Sequence, residues 1–359
     1  MNPERTLLLD SVRRLLGDHC DQKCVEAAKS SGWSESLWRT LEQTQVPLVG
    51  VAESAGGAGG TLSDAAAVLR LAGEFSAPVP LAETGVLAGW MLASSGMNVP
   101  PGPLAAGPAQ RGERLTLKRA RDGWSISGML ERMPWAAVAK RLVVFASNGE
   151  RECVVSVDPQ ACTISSGANL ASEPRNDVRF DGVAVRADDV AAAGPGVTSA
   201  ALFERGALAR SLMMAGALER CLALSVRYAG ERVQFGRPIA QFQAIQQELA
   251  RLAGEVAAAR AAAEFAAGAM ERGTGSHAAL AVASAKIRAG EAALAASAIA
   301  HQVHGAIGAT REYVLHHSTL RLWAWRSEFG SDTQWAEVLG QQAIKQGADA
   351  LWPWLTLEP

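Results

Sequence analysis

The chain lacks the long apolar runs and the excess of one charge that mark membrane-spanning and polyanion-binding proteins. None of its apolar runs approaches the roughly 20 residues that a helix needs to cross a bilayer, and the formal net charge is only -2. The N-terminal stretch MNPERTLLLDSVRRLLGDHC carries acidic residues and helically spaced apolar residues instead of the uninterrupted apolar core of a signal peptide. We therefore expect a cytoplasmic protein that has no membrane span and binds no nucleic acid.

Cysteine is also scarce, with five in 359 residues. An odd number cannot pair completely, and Cys153, Cys162 and Cys221 stand among apolar residues, which favours buried thiols over disulfides. Cys20 and Cys24 are spaced by one helical turn, but the nearby His19 points to another side of the helix, so a third metal ligand is missing. We predict no metal site.

Apolar residues, by contrast, make up 48% of the chain, which is enough for a large core. The period of the apolar pattern changes twice, from helical to alternating and back to helical. We predict an N-terminal helical domain over residues 1–108, a small antiparallel β domain over 109–190 and a C-terminal four-helix bundle over 191–359.

Local signals refine this division. In SESLWRTLEQTQV, Ser34 is placed to cap a helix whose apolar face carries Leu37, Trp38 and Leu41. The proline-rich and glycine-rich stretch MNVPPGPLAAGPAQRGE is typical of a connection between domains. Alanine-rich patterns predict long helices over residues 198–229, 238–272 and 276–304 and a shorter one over 333–350.

Two motifs in the C-terminal part identify a family resemblance. RYAGERVQFGRPIAQFQAIQQELA resembles the Tyr…Arg-x-Gln-Phe-Gly signature of acyl-CoA dehydrogenases, and HQVHGAIGATREYVLHH resembles their Gln-x-x-Gly-x-x-Gly signature. The N-terminal LWRTLEQTQVPLVGVAESAGGAGGT is similar to the helical domain of the same family. The resemblance implies an FAD-dependent oxidation of an acyl-CoA substrate to its 2-enoyl product, with electrons passed to an electron-transfer flavoprotein or a similar acceptor.

The same resemblance implies a set of FAD contacts. In the family, the first motif reaches across a subunit interface, so Arg232, Phe235 and Ile239 are expected to hold the diphosphate half of an FAD bound mainly by a neighbouring chain. Arginine suits this role because its planar fork matches diphosphate oxygens. The other implied contacts are Gln302, Val303, Gly305 and Ala306 along the diphosphate, together with Gln334 and Trp135.

Structural roles compete with several of these assignments. Arg232 could instead pair with a carboxylate, and Gln302 could cap a helix. An aromatic residue such as Trp135, which follows a proline, is as often part of a core. His304 could belong to a metal site with His301, but no carboxylate stands at ligand spacing, so a packed or hydrogen-bonded histidine is the better interpretation.

The chain departs from the family pattern where the catalytic base is expected. In the segment LRLWAWRSEFGSDTQWAEVLG, alignment with the family puts Gly330 or, shifted by one residue, Phe329 at the base position, and the nearby Glu328 needs a further shift. The second base position known in the family falls at Gly206. Its nearest carboxylate, Glu204, is two residues away and therefore faces another side of the helix.

The β domain departs from the family as well. Relatives carry a Thr-Glu-Pro-x-x-Gly-Ser loop and a Trp-Ile-Thr segment against the flavin ring, whereas this chain has LAAGPAQRGERLTL and ERMPWAAVAKRLVV. The hydroxyl-bearing contacts are missing, and only Trp135 is left to pack near the ring.

Three hypotheses follow from these matches and departures. The first is a base-lacking β-type subunit of an α2β2 acyl-CoA dehydrogenase, such as those that handle bulky CoA thioesters from sterol side chains, with a related chain supplying the base. The second is a homotetrameric acyl-CoA dehydrogenase that uses Glu328 as base. The third is a flavin-free binding or scaffold protein on the same fold.

Overall fold

The computed structural model describes residues 3–273 and 275–356. The described chain forms two compact units. Unit 1 comprises the chain up to Leu69 together with Ala77–Ala209, and unit 2 comprises Arg70–Ser76 and the chain from Arg210 onwards. The division into three domains with boundaries near 108 and 190 stays a prediction.

Unit 1 begins with short helices. They are α1 (Pro3–His19), α2 (Gln22–Ser31), α3 (Glu35–Gln43), α4 (Leu62–Glu74), whose C-terminal end belongs to unit 2, and α5 (Trp90–Ser94). A π-helical segment, Ala82–Gly89, precedes α5 directly, and all eight of its residues are buried.

The helix α3 forms as its sequence predicts. Ser34 has an extended backbone, and its hydroxyl accepts a hydrogen bond from the Leu37 N–H at 3.4 Å, which satisfies a donor that the first helical turn leaves without a partner. Leu37, Trp38 and Leu41 lie on one face and are at most 2% exposed. The predicted cap and the predicted apolar face are both confirmed.

The strands of unit 1 form one sheet. They are β1 (Leu104–Gly107), β2 (Thr116–Ala120), β3 (Gly123–Pro134), β4 (Arg141–Ser147), β5 (Glu152–Val157), β6 (Thr163–Ser165), β7 (Arg175–Val185) and β8 (Val190–Ala192). The strand order is β6-β7-β3-β2-β4-β5-β8, with β1 beside β4. Most neighbours are antiparallel, as predicted, but β1 and β2 each pair with β4 in parallel.

The strand β1 corrects one prediction. It lies within the stretch interpreted as a connection, because prolines and glycines on both sides masked a short run that is fully buried in the sheet. Elsewhere the alternation predicted the strands well. The facing pairs Leu117 with Ile126 and Val144 with Val155 all belong to the core of the sheet.

Unit 2 is built from long helices joined by short loops. They are α6 (Ser199–Glu231), whose N-terminal part belongs to unit 1, α7 (Gln243–Arg272), α8 (Ser276–His304), α9 (Leu315–Ser327), α10 (Asp332–Gln346) and α11 (Ala348–Thr356). The helix α9 was not predicted. The predicted helix over 333–350 is divided at Gly347, whose φ of 75° lies in the left-handed region that ends helices.

Alanine lets the helices of unit 2 approach closely. Ala259, Ala263 and Ala266 line the buried face of α7, and Ala289 and Ala296 are buried on α8, with each side chain at most 1% exposed. These residues also have the highest helix propensity, so packing and local preference favour the same conformation. Among the described helices, none combines the length and the apolar character needed to cross a membrane.

Candidate functional site

The first motif folds into a small hairpin after α6. Its strands are β9 (Val233–Gln234) and β10 (Arg237–Pro238), and the Ile239 N–H closes it with a 2.8 Å hydrogen bond to the Arg232 carbonyl. The two turn residues, Phe235 and Gly236, have φ values of 52° and 79°. Positive φ at both turn positions matches the twist of a two-residue hairpin but is unfavourable for a side chain as large as phenylalanine.

Phe235 nevertheless occupies that turn with its ring in solvent. Its side chain is 92% exposed, and its nearest aromatic neighbour is Phe242, with ring centroids 6.1 Å apart. The base of the hairpin is held by Arg237, whose guanidinium lies 4.3 Å from the centre of the Phe242 ring. A strained turn that presents an apolar ring outward is typical of a contact with another molecule.

Arg232 is exposed beside this turn. Its backbone N–H donates to the Tyr228 carbonyl at 2.8 Å, which continues the pattern of α6 by one residue. Within the described chain its guanidinium makes no ion pair or side-chain hydrogen bond. The five donors of Arg232 are therefore available to a ligand, and the alternative of an internal carboxylate partner finds no support among the described residues.

The second motif ends α8. Gly305 has a φ of 62°, and a five-residue 3₁₀ turn, Gly305–Ala309, follows. Gln302, Gly305 and Ala306 are exposed, and the Gln302 side chain makes no hydrogen bond within the described chain, so it caps no described helix. Val303, in the last turn of α8, is only 5% exposed.

The two motifs meet through an aromatic stack. The His304 ring lies on the Tyr228 ring at 4.6 Å between centroids, and Tyr313 contacts it from another side at 4.8 Å. His304 Nδ1 lies 2.7 Å from the Ala300 carbonyl oxygen, and burial lowers the pKa of the imidazole, which keeps it neutral. The prediction of a packed, hydrogen-bonded histidine is confirmed, and the ends of α6 and α8 are adjacent.

Gln334 and Trp135 lie in ordinary structural settings. Gln334 completes a capping box at the start of α10, since its side-chain oxygen accepts from the Ser331 N–H at 2.9 Å while its own N–H donates to Ser331 Oγ. Trp135 belongs to unit 1, is 3% exposed, and lies under the guanidinium of Arg175 at 6.0 Å. FAD contacts by these two residues stay predictions.

The loop after α9 carries Glu328, the carboxylate that a shifted alignment would bring to the usual base position. Glu328 Oε2 accepts a hydrogen bond from Arg210 Nε at 2.7 Å, and Arg210 is fully buried on α6. The next residues, Phe329 and Gly330, have φ values of 51° and 87°, and the Arg210 guanidinium lies 5.4 Å from the centre of the Phe329 ring. Glu328 thus neutralises a buried charge.

Buried donors fix the backbone of the same loop. Lys286 on α8 is fully buried, and its ammonium nitrogen donates to the Arg326 carbonyl at 2.6 Å and to the Gly330 carbonyl at 2.7 Å. Trp335 Nε1 donates to the Phe329 carbonyl at 2.9 Å. Burial lowers the pKa of Lys286 to about 7. The negative charges of the nearby Glu328 and Asp332 act in the opposite direction and raise it, but burial is the larger effect.

Sequence reasoning missed Arg210 and Lys286. Both interrupt otherwise apolar helical segments, ALARSLMM and ASAKIRAG, and a charged residue in such a segment requires a buried partner. That signal could have predicted that α6 and α8 each place a charged side chain against buried polar groups, which the structure shows to belong to Glu328 and the loop after α9.

The second base position holds no carboxylate. Gly206 is buried on α6 and has no side chain. Glu204 is half-buried, and burial raises the pKa of its carboxyl while the charge of Arg111 opposes that shift. Glu204 stands on a different side of α6, as the spacing of two residues predicts.

Comparison with known proteins finds a matching family model and a relative that covers most of the chain. The family model "Acyl-CoA dehydrogenase, C-terminal domain" matches residues 193–338. The acyl-CoA dehydrogenase IpdE2 of Mycobacterium tuberculosis is 32% identical over 87% of this chain and 89% of its own length.

Solved structures agree in fold. The ChsE4-ChsE5 complex from Mycobacterium tuberculosis contains a chain that superposes with a TM-score of 0.87 at 23% identity, covering 97% of this chain and 99% of that one. A chain of the Tcur3481-Tcur3483 steroid ACAD superposes with a TM-score of 0.85 at 26% identity, covering 95% of this chain and 98% of its own. The predicted fold class, mainly helical with a central β unit, is confirmed.

Proposed function

The chain belongs to the acyl-CoA dehydrogenase family, and on that premise we propose that it is the β-type subunit of a hetero-oligomeric acyl-CoA dehydrogenase. In this role it holds FAD together with a related partner chain, and the partner supplies the catalytic base. Members of the family remove the α-proton and the β-hydrogen of an acyl-CoA thioester, and FAD supplies the hydride acceptor when it is bound.

The observation that carries the proposal is the state of Glu328. A catalytic base must face the α-carbon of the substrate and accept its proton. Glu328 instead lies 2.7 Å from the guanidinium of the fully buried Arg210, and the loop that carries it is held by Lys286. Protonating Glu328 would remove the charge that faces the buried Arg210 guanidinium, which is unfavourable.

The residues around the two motifs fit the diphosphate half of FAD. The Arg232 guanidinium has no partner among the described residues, Phe235 presents its ring to solvent, and Gly305 leaves open space where a side chain would stand. Arg232 would pair with the diphosphate and the Gln302 side chain would donate to it, while Val303 and the small residues Gly305 and Ala306 would lie along it and allow its close approach. Ile239 would stabilise the hairpin, since its N–H donates to the Arg232 carbonyl and closes the pair β9 and β10.

The relatives support an assembly of two different chains. The ChsE4-ChsE5 complex joins two proteins, and the Tcur3481-Tcur3483 enzyme is a steroid ACAD. By analogy, the substrate of the present chain and its partner would be a CoA thioester from steroid degradation, and the electron acceptor an electron-transfer flavoprotein.

Flavin content tests the proposal directly. The chain is purified alone and together with a related chain that carries a glutamate at either base position, and bound FAD is measured after gel filtration. We expect stoichiometric FAD and acyl-CoA oxidation only in the joint preparation. FAD and activity in the chain alone would support the homo-oligomeric enzyme, and the absence of FAD from every preparation would support the scaffold protein.

A further inference from the structure

Unit 1 contains a cleft that the proposed FAD contacts do not use. Its volume is about 250 Å³, and its walls come from the loop of residues 49–52, the start of α4, the π-helical segment, α5 and the first turns of α6. Most of the wall is apolar, and Val51, Leu62 and Val86 are examples. The one ionisable side chain among the lining residues is Arg205.

Arg205 is held in this cleft by an aromatic ring and has no charged partner there. Its guanidinium lies 4.3 Å from the centre of the Trp90 ring, and within the described chain it makes no ion pair or hydrogen bond. Burial lowers its pKa to about 10, so it stays charged at neutral pH.

Three other arginines of low exposure pair with carboxylates. Arg70 contacts Glu219 at 2.6 Å, Arg175 contacts Glu173 at 3.0 Å and Arg210 contacts Glu328 at 2.7 Å. Removing a guanidinium from water is unfavourable unless acceptors replace the water, and these three arginines have such acceptors. Arg205 has no such acceptor among the described residues, and it lines the open space of the cleft.

The walls of the cleft are preformed. A Cβ atom at Gly85 would lie 2.3 Å from the Pro47 carbonyl oxygen, so the π-helical segment and the preceding loop touch backbone to backbone. A stacked guanidinium keeps its edge free, and that edge matches a carboxylate in the two-bond geometry that arginine favours. One guanidinium in an apolar cleft is complementary to a small ligand that has one carboxylate and an apolar remainder.

We propose that this cleft binds a small organic monocarboxylate, with Arg205 as its anchor and Trp90 as the support that positions the guanidinium. Its volume lies just below the range typical of pockets for drug-sized ligands, which points to a ligand the size of a short carboxylic acid. This site is independent of the FAD proposal.

The test uses the full chain, with its partner where one is required for solubility, and sodium hexanoate as the probe in isothermal titration calorimetry. We expect hexanoate to bind at millimolar or lower concentration, and the neutral hexanamide to bind roughly ten- to a hundred-fold more weakly. This comparison needs no variant and so does not depend on the folding of a mutant. Equal binding of the two probes, or no binding of hexanoate, would overturn the proposal.

Variants then locate the site. Arg205→Gln should weaken hexanoate binding by the same roughly ten- to a hundred-fold, and Arg205→Lys should restore part of it. The matched control is Arg119→Gln, because Arg119 also lies over a tryptophan, Trp124, at 4.4 Å but on the exposed strand β2. Thermal unfolding checks the fold of each variant. Unchanged hexanoate binding in a folded Arg205→Gln chain would also overturn the assignment.

Discussion

At the scale of single residues, Glu328 distinguishes the two enzymatic hypotheses. The partnered-subunit proposal makes it one half of an ion pair with the buried Arg210. Glu328→Gln should therefore leave the turnover of the assembled enzyme nearly unchanged, while it lowers the free energy of unfolding by about 3 kcal/mol because Arg210 loses its counter-charge. Steady-state kinetics and chemical denaturation of the same preparation measure the two effects.

A double variant controls for the buried charge. Arg210→Met combined with Glu328→Leu removes both charges and should recover most of the lost stability. If turnover of Glu328→Gln instead fell by several orders of magnitude while FAD stayed bound, Glu328 would be the base and the homo-oligomeric hypothesis would be correct.

Arg232 tests the other half of the proposal, the hold on the diphosphate. A charge-assisted, two-pronged contact contributes about 1.5 to 3 kcal/mol, so Arg232→Ala should lower FAD affinity roughly ten- to a hundred-fold. The fold should survive, because the side chain is exposed and its loss leaves no cavity. FAD retained by the partner complex after gel filtration is the measurement.

Two further variants make that result specific. Arg232→Lys should restore only part of the affinity, since an ammonium is a point charge and not a fork. Arg251→Ala is the matched control, because Arg251 is an exposed arginine of the next helix that pairs with Glu248. Full FAD retention by Arg232→Ala would show that the hairpin only joins two helices.

At the scale of elements, the hairpin between α6 and α7 carries a residue that is unfavourable for stability but is proposed to hold FAD. Phe235 occupies a left-handed conformation that glycine adopts without strain, so Phe235→Gly should leave the free energy of unfolding unchanged or raise it by up to about 1 kcal/mol. The same variant should lose FAD, because it removes the exposed ring. Gly236→Ala is the converse control, since it adds strain at a φ of 79° and keeps the ring. A Phe235→Gly chain that is less stable and retains all FAD would contradict this interpretation.

The contact between α8 and the loop after α9 predicts a pH dependence. Burial lowers the pKa of Lys286 to about 7, while the unfolded chain keeps the ordinary lysine value of about 10.4. Between these values the unfolded state binds the extra proton, so the free energy of unfolding should rise with pH by at most about 1.4 kcal/mol per unit. Below pH 7 both states are protonated and this dependence ends.

Lys286→Met provides the comparison for that prediction. It lacks the titrating group, so the difference in unfolding free energy between wild type and variant should change across this pH interval. Urea denaturation at pH 7, 8 and 9 measures the difference. A constant difference would mean that Lys286 stays charged beside Glu328 and Asp332.

The elements also show what could be predicted from the sequence. Ser34 and the apolar residues after it specify α3 locally, and Gly305 ends α8 at the predicted residue because its φ requires glycine. The strand β1 and the helix α9 were not predicted, since each depends on neighbours distant in sequence. Pairing with β4 defines β1, and α9 contains nine buried residues, several of them polar, without a clear apolar period.

The candidate site follows the same division. The motifs around Arg232 and Gln302 could be located from the sequence, because their glycines and spacing are local features. The pairing of Arg210 with Glu328 and the cleft at Arg205 could not, since each joins segments far apart in the chain. Charges inside apolar helical segments were the available signal.

At the scale of the whole molecule, unit 2 exposes more large apolar side chains than an isolated bundle needs. Phe265 is 55% exposed, Trp323 45% and Ile344 82%, in addition to Phe235 on the hairpin. Scattered apolar residues are normal on a surface, but aromatic rings in solvent on three separate elements of one unit favour contacts with other chains. Arg232, which pairs with no group in the described part of the chain, leads to the same expectation, since its proposed ligand would be bound mainly by a neighbouring subunit.

We therefore expect that the chain is not a stable monomer at micromolar concentration. With a complementary family member it should form a defined hetero-oligomer. Removing these apolar side chains from water stabilises the assembly by roughly 25 cal/mol for each Å² of apolar surface buried. Multi-angle light scattering of the chain alone and of the mixture measures the masses. Trp323→Glu should lower the assembled mass. Leu170→Glu is the control variant, because Leu170 is 65% exposed but belongs to unit 1. It should leave the assembled mass unchanged. A monomer that no partner converts into a larger species would contradict both the assembly and the proposed sharing of FAD.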